Sequence, residues 1–136
     1  MREGAAAFIY RDERILLQLR EEGEGIPFPG LWGLFGGGIE DGEDPAEGRR
    51  RELQEEIGWD APMPEFLVTS VDPLRPALHA FAIELDLPLS ALALHDGNGM
   101  ALVTPEEAMT MAMVPHHKEL IPTFVRWHKA LSSVAR

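Results

Sequence analysis

Glu52, Glu55 and Glu56 crowd one short stretch, Arg-Glu-Leu-Gln-Glu-Glu-Ile-Gly over residues 51–58. On a helix of 3.6 residues per turn these carboxylates sit close enough around the circumference to converge on one site. They repel one another, so the stretch needs cations. Arg49, Arg50 and Arg51 supply some from within. Arg51 stands four residues before Glu55 and eight after Glu43, where it can tie the preceding loop to the helix while orienting a carboxylate. Two uses are open on spacing alone: a solvated charged face, or hard oxygen ligands for Mg²⁺ or Mn²⁺ with substrate phosphates completing the shell.

The element that must carry these side chains has its own signals. Asp44 can cap a helix, Pro45 fits its first position, Glu47 completes a capping-box-like pattern and Gly58 suits the left-handed residue that ends it. A helix is therefore predicted over about residues 45–57, with Ala46, Leu53 and Ile57 as its apolar stripe. The glycines at 36–38 allow close backbone approach just before it.

With Gly37, Glu43, Arg51-Glu52-Leu53, Glu55-Glu56 and Gly58 at these spacings and apolar Trp59 closing the run, residues 37–59 resemble the signature box of the Nudix hydrolases. The resemblance implies an α/β fold, a Nudix-type α/β/α sandwich with a mixed β-sheet, made by residues 1–136 as a single domain. It implies hydrolysis of the pyrophosphate linkage in nucleoside diphosphate-X compounds, with Mg²⁺ as cofactor and Mn²⁺ as a substitute. The metal shell it implies is Gly37, through its carbonyl, with Glu52, Glu55 and Glu56. Glu52 is the first choice for general base. Asp96 is the second, because Asp96-Gly97 resembles a Glu-Gly pair that supplies an acidic residue in MutT-type members; read by itself, the pair is an ordinary turn. Arg51 and Glu43 would hold the ligand face in place.

Arg20, Phe35 and His117 are the substrate-binding candidates. Arg20 ends a strand and is either a solvated cation or a phosphate contact. Phe35 ends the apolar run 31–35 that enters the glycines. His117, with His116, stands where some MutT-like enzymes place a polar residue that reads the nucleobase, often asparagine; the alternative is a solvent-facing pair at a helix entrance. The resemblance favours a MutT-type nucleoside triphosphate pyrophosphohydrolase. Nucleotide sugars, ADP-ribose and dinucleoside polyphosphates stay open, since the box positions only the diphosphate. A non-catalytic nucleotide sensor is the alternative from another class, disfavoured by the intact Glu52, Glu55 and Glu56.

Composition narrows the partners. Twelve basic residues against 23 acidic ones give a net charge of −11 over 136 residues, which repels a nucleic acid polymer from any broad face. A small nucleotide is compatible, because divalent cations bridge it to acidic groups. The absence of cysteine excludes disulfides, thiol catalysis and cysteine-ligated zinc. No apolar run approaches the roughly 18 residues of a membrane span, so the expectation is a cytoplasmic protein without membrane contact. A homodimer is implied by resemblance only.

The supporting elements read in order. Strands are predicted over 5–10 and 15–20, joined at Arg11-Asp12-Glu13, followed by a glycine- and proline-bearing loop over 21–30. Further strands are predicted over 65–71, 77–87 and 100–103. His79 on the second of these reads as packed or surface-bound rather than as a pocket residue. Thr104 caps a helix reaching to about Met113. Leu120, Phe124, Trp127, Leu131 and Val134 describe a C-terminal amphipathic helix with Pro122 in its first turn or at a kink.

Overall fold

Strand β1 (Gly4–Arg11) is the axis of the sheet, and its sequence explains why. Gly-Ala-Ala-Ala-Phe-Ile-Tyr-Arg is an almost unbroken apolar run, the pattern of a strand covered on both faces. In the computed structural model, which describes residues 2–23, 25, 28–94 and 99–134, Ala6, Phe8 and Tyr10 enter one hydrophobic cluster. Ala7 and Ile9 enter a second, on the opposite face. A tight turn at Asp12-Glu13, with Asp12 at φ 52°, returns the chain into β2 (Arg14–Leu19).

The sheet is mixed. β1 runs parallel to β6 (Arg75–Glu84), with Ala5 opposite His79 and Ile9 opposite Ile83, and every other named strand pairing is antiparallel. β5 (Glu65–Asp72) flanks β6. The other edge of β1 is divided: Ile9, Tyr10 and Arg11 pair with β2, whereas Gly4 to Ala7 pair with β4 (Phe35–Gly38). β2 diverges from β1 and pairs with β3 (Trp32–Gly33) and β7 (Gly99–Val103). The glycine strand β4 thus lies in the fork between β1 and β2.

Helices close both faces. Helix α1 (Pro45–Ile57) buries Leu53 and Ile57 against Ala7, Ile9 and Phe35. On the opposite face, α4 (Ile121–Val134) stacks Phe124 on Phe8 with ring centroids 4.9 Å apart. The C-terminal stripe is buried only over its first half: Leu120 and Phe124 are in the core, Trp127 is half-buried, and Leu131 is exposed. Pro122 sits in the first turn of α4, where its missing N–H costs nothing. Helix α2 (Pro105–Met109) has the reciprocal capping box between Thr104 and Glu107, but ends at Met109 rather than near Met113. The chain stops coiling there because residues 112–114 bond to Trp32: Trp32 N–H donates to the Ala112 carbonyl and Val114 N–H to the Trp32 carbonyl, both at 2.8 Å. That contact sets the short helix α3 (Pro115–Lys118) beside β3 and β4. No helix among the described residues is long and apolar enough to cross a membrane.

Candidate functional site

Helix α1 is fixed at both ends by backbone chemistry. The Asp44 carboxylate accepts from Ala46 N–H at 3.1 Å and Glu47 N–H at 3.3 Å, satisfying amides the helix leaves unpaired. Glu47 does not complete a capping box; its carboxylate lies 3.6 Å from Arg50. Gly58 closes the helix at φ 66°, donating to Gln54, while Trp59 N–H reaches back to Leu53. Trp59 is buried in the core.

Arg51 is a clamp. Its Nε and Nη2 meet the two Glu43 oxygens at 2.8 and 3.1 Å, and its Nη1 lies 3.0 Å from Glu52 and 3.3 Å from Glu55. The Arg51 guanidinium holds the Glu43 carboxyl down to about 2, aided by the Glu40 N–H. Glu43 in turn presses on Gly48, where an added Cβ would lie 2.9 Å from its oxygen. Loop and helix are therefore locked together through one carboxylate.

Beneath this clamp a second arginine is wholly buried. Arg49 donates from Nη2 to Glu56 Oε1 at 2.7 Å and from Nη1 to the Ala5 carbonyl of β1 at 2.9 Å. Its Nε is buried without a partner among the described residues. Glu56 is buried too, and its carboxyl is pushed up to about 7. Burial is the main cause; Arg49 opposes it, and the neighbouring Glu52, hydrogen-bonded to Glu56, adds to it. Glu52 and Glu56 thus meet, with Glu52 set against the backbone of Gly37, where a Cβ would lie 3.2 Å from the carboxylate carbon.

The three carboxylates do not all converge. Glu55 is exposed and turned toward Arg51, and among the described residues no three His, Asp or Glu side chains form a ready cation site. Asp96 lies outside the described residues.

A groove of about 350 Å³ opens along the glycine strand, lined by Gly36, Gly37 and Gly38 and by Arg2, Arg20, Phe28, His116 and His117. His117 is almost fully buried, and burial pushes its imidazole down to about 3, so the ring is neutral. Its Nδ1 accepts from Leu34 N–H at 3.1 Å, which leaves the ring proton on Nε2 as a donor. Gly33 packs closely beneath it: an added Cβ there would lie 3.1 Å from Nδ1. Phe28, at φ 50° and 43% exposed, places its ring 5.4 Å from His116. Sequence reasoning passed over Phe28; its one signal is an aromatic side chain in a loop otherwise rich in glycine and proline.

Phe35 does not line the groove. It is completely buried with Leu53 and Ile57 under α1, so its contribution is packing, a correction to its reading as a substrate contact. Arg20 and His117 do line the groove. His79 is held between Thr69 at 2.8 Å and Glu3 at 2.5 Å.

A sequence model described as the NUDIX domain matches residues 1–124. The CTP pyrophosphohydrolase of Escherichia coli K12 is 29% identical over 126 residues, 92% of this chain and 92% of that protein. The nucleoside triphosphatase NudI of Escherichia coli O139:H28 is 40% identical over 65 residues, 48% of this chain and 42% of that protein. The solution structure of the E. coli ORF135 protein superposes with a TM-score of 0.74 at 28% identity, covering 96% of this chain and 92% of that one.

Proposed function

The chain belongs to the Nudix hydrolase family, and from that premise we propose that it cleaves nucleoside triphosphates to a nucleoside monophosphate and pyrophosphate in a Mg²⁺-dependent reaction. The observation that carries this reading is continuity: the groove bearing His117 and Phe28 runs along the same glycine strand against which Glu52 and Glu56 meet. Phe28 and His116 offer aromatic faces for a base, and the Nε2–H of His117 offers a donor to one of its acceptor atoms.

The donor set fits a hard divalent cation. Two carboxylates forced into hydrogen-bond contact, one of them holding its proton up to about 7, are the arrangement that a cation at that point would relieve. Glu52, Glu56 and the Gly37 carbonyl would hold it, with Glu55 joining by turning away from Arg51; Mn²⁺ would substitute. Bound there, the ion neutralises charge that develops on the phosphates and acidifies the attacking water. Glu52 would accept a proton from the attacking water as general base, with Asp96 as the second choice. Arg51 and Glu43 hold the loop and helix in register, and Arg49 anchors Glu56 to β1 beside Gly37. The reading implies a cytoplasmic enzyme, where nucleotides and Mg²⁺ coexist, and a homodimer, which light scattering would test.

The test is product formation with Mg²⁺ and Mn²⁺ across normal and oxidised nucleoside triphosphates, nucleotide sugars, ADP-ribose and dinucleoside polyphosphates, with Glu52→Gln as control. Metal-dependent pyrophosphate release from a triphosphate, lost in Glu52→Gln, supports the reading. Preferential cleavage of a sugar-linked diphosphate overturns the triphosphate assignment. Tight nucleotide binding with no turnover of any substrate would establish a sensor instead.

A further inference from the structure

The glycine strand ends on a cation that the proposed chemistry has not used. Arg2 precedes β1, and its guanidinium lies where a side chain on Gly38 would project: an added Cβ would be 2.7 Å from Nη2 and 3.0 Å from Cζ and Nε. Arg2 lines two hollows at once. One is the groove of Arg20, Phe28 and His117; the other is a hollow of about 630 Å³ bordered by Glu40, Asp41 and Glu43. Its charge helps hold Glu43 ionised, yet Arg2 forms no ion pair or hydrogen bond among the described residues, and Glu43 is already engaged by Arg51 on both oxygens.

The two groove cations serve opposite ends. Arg20 N–H is bonded to the Leu31 carbonyl at 2.9 Å, two residues before the Gly33 that His117 lies against, at the end offered to a base, whereas Arg2 lies against Gly38 beside Glu40, Asp41 and Glu43 of the acidic loop. A phosphate chain that starts at the base and passes Gly37 therefore reaches Arg2 last, just where Glu40, Asp41 and Glu43 would repel an anion. Resting on the proposed function, we infer that Arg2 binds the phosphate farthest from the nucleoside and so selects substrates whose X group is itself a charged phosphate. Gly38 is part of the device, because any larger residue would displace the guanidinium.

The experiment compares wild type, Arg2→Ala, Arg2→Lys and Gly38→Ala on the nucleoside triphosphate turned over best and on ADP-ribose, with calorimetric binding of inorganic tripolyphosphate in Mg²⁺ as a second readout. Loss of one exposed charge-assisted contact corresponds to about a tenfold change. Arg2→Ala is expected to lower kcat/KM for the triphosphate and tripolyphosphate affinity about tenfold each, and to lower kcat/KM for ADP-ribose by a smaller factor. Arg2→Lys retains part of both. Gly38→Ala reproduces the loss, and adding it to Arg2→Ala costs nothing further. Wild-type turnover of triphosphates with an unaltered Arg2→Ala, or an equal loss on both substrates, overturns this inference alone. A wild type that neither binds tripolyphosphate nor hydrolyses a triphosphate overturns it together with the reading beneath it.

Discussion

Replacing Glu56 by glutamine isolates what it costs to keep a carboxylate beside Glu52 in a buried site. Burial, and then Glu52, raise the Glu56 carboxyl from its ordinary 4.5 to about 7 despite the 2.7 Å contact with Arg49. Between those values the folded protein holds a proton that the unfolded chain releases. The stabilisation is therefore fully present below about pH 4.5, is lost as pH rises toward 7, and stays lost above it. At about 1.4 kcal/mol per pH unit, the window is worth about 3 kcal/mol. Glutamine imitates the protonated carboxyl and does not titrate, so Glu56→Gln lacks this dependence. The assay is urea unfolding in chelator at pH 4.5 and pH 8. Wild type is expected to fall relative to Glu56→Gln by about 3 kcal/mol across that interval. Saturating Mg²⁺ at pH 8 should restore wild type more than the variant, because only wild type offers both carboxylates. A stability difference independent of pH, or one that moves in favour of wild type as pH rises in chelator, would refute the reasoning.

Three further outcomes follow from the same geometry. Arg49→Met removes the partner of a buried carboxylate and the donor to the Ala5 carbonyl, so denaturant unfolding at pH 8 should show a loss of about 3–5 kcal/mol. Asp44→Ala strips the cap from α1 and is expected to cost about 1 kcal/mol in the same measurement, with a smaller effect for Asp44→Gly. The His117 imidazole is pushed down to about 3 by burial, so its contribution is present above the ordinary 6.5 and is lost as pH falls from there toward 3. His117→Gln should accordingly flatten acid destabilisation over that range, and NMR should show the wild-type ring neutral, with its proton on Nε2, at pH 5.5.

What was legible in the sequence is what depends on neighbours along the chain. The helix limits at Pro45 and Ile57 follow from Asp44 and Gly58, and the Arg51–Glu43 clamp from an eight-residue spacing across a loop that must fold back. Features decided by the layers above and below were not. Phe35 shares its face of β4 with Gly37, but alternation alone does not reveal that α1 covers one position and leaves the other beside the carboxylates. Glu55 lies within reach of Glu52 and Glu56 on the helix, yet Arg51, four residues earlier, draws it outward. Of the three successive arginines, Arg49 is the one inside. The signal was its spacing of four and seven residues from Leu53 and Glu56, which puts it on their face. The length of α2 was overestimated because its continuation is spent on the pairing with Trp32.

Phosphorus NMR of a nucleoside triphosphate incubated with the protein tests the central claim most directly, with parallel samples in Mg²⁺ and in chelator. The expected result is paired growth of nucleoside monophosphate and pyrophosphate resonances in Mg²⁺, none in chelator, and none with Glu52→Gln. Release of orthophosphate with nucleoside diphosphate, or product formation undiminished by chelator or by Glu52→Gln, would contradict it.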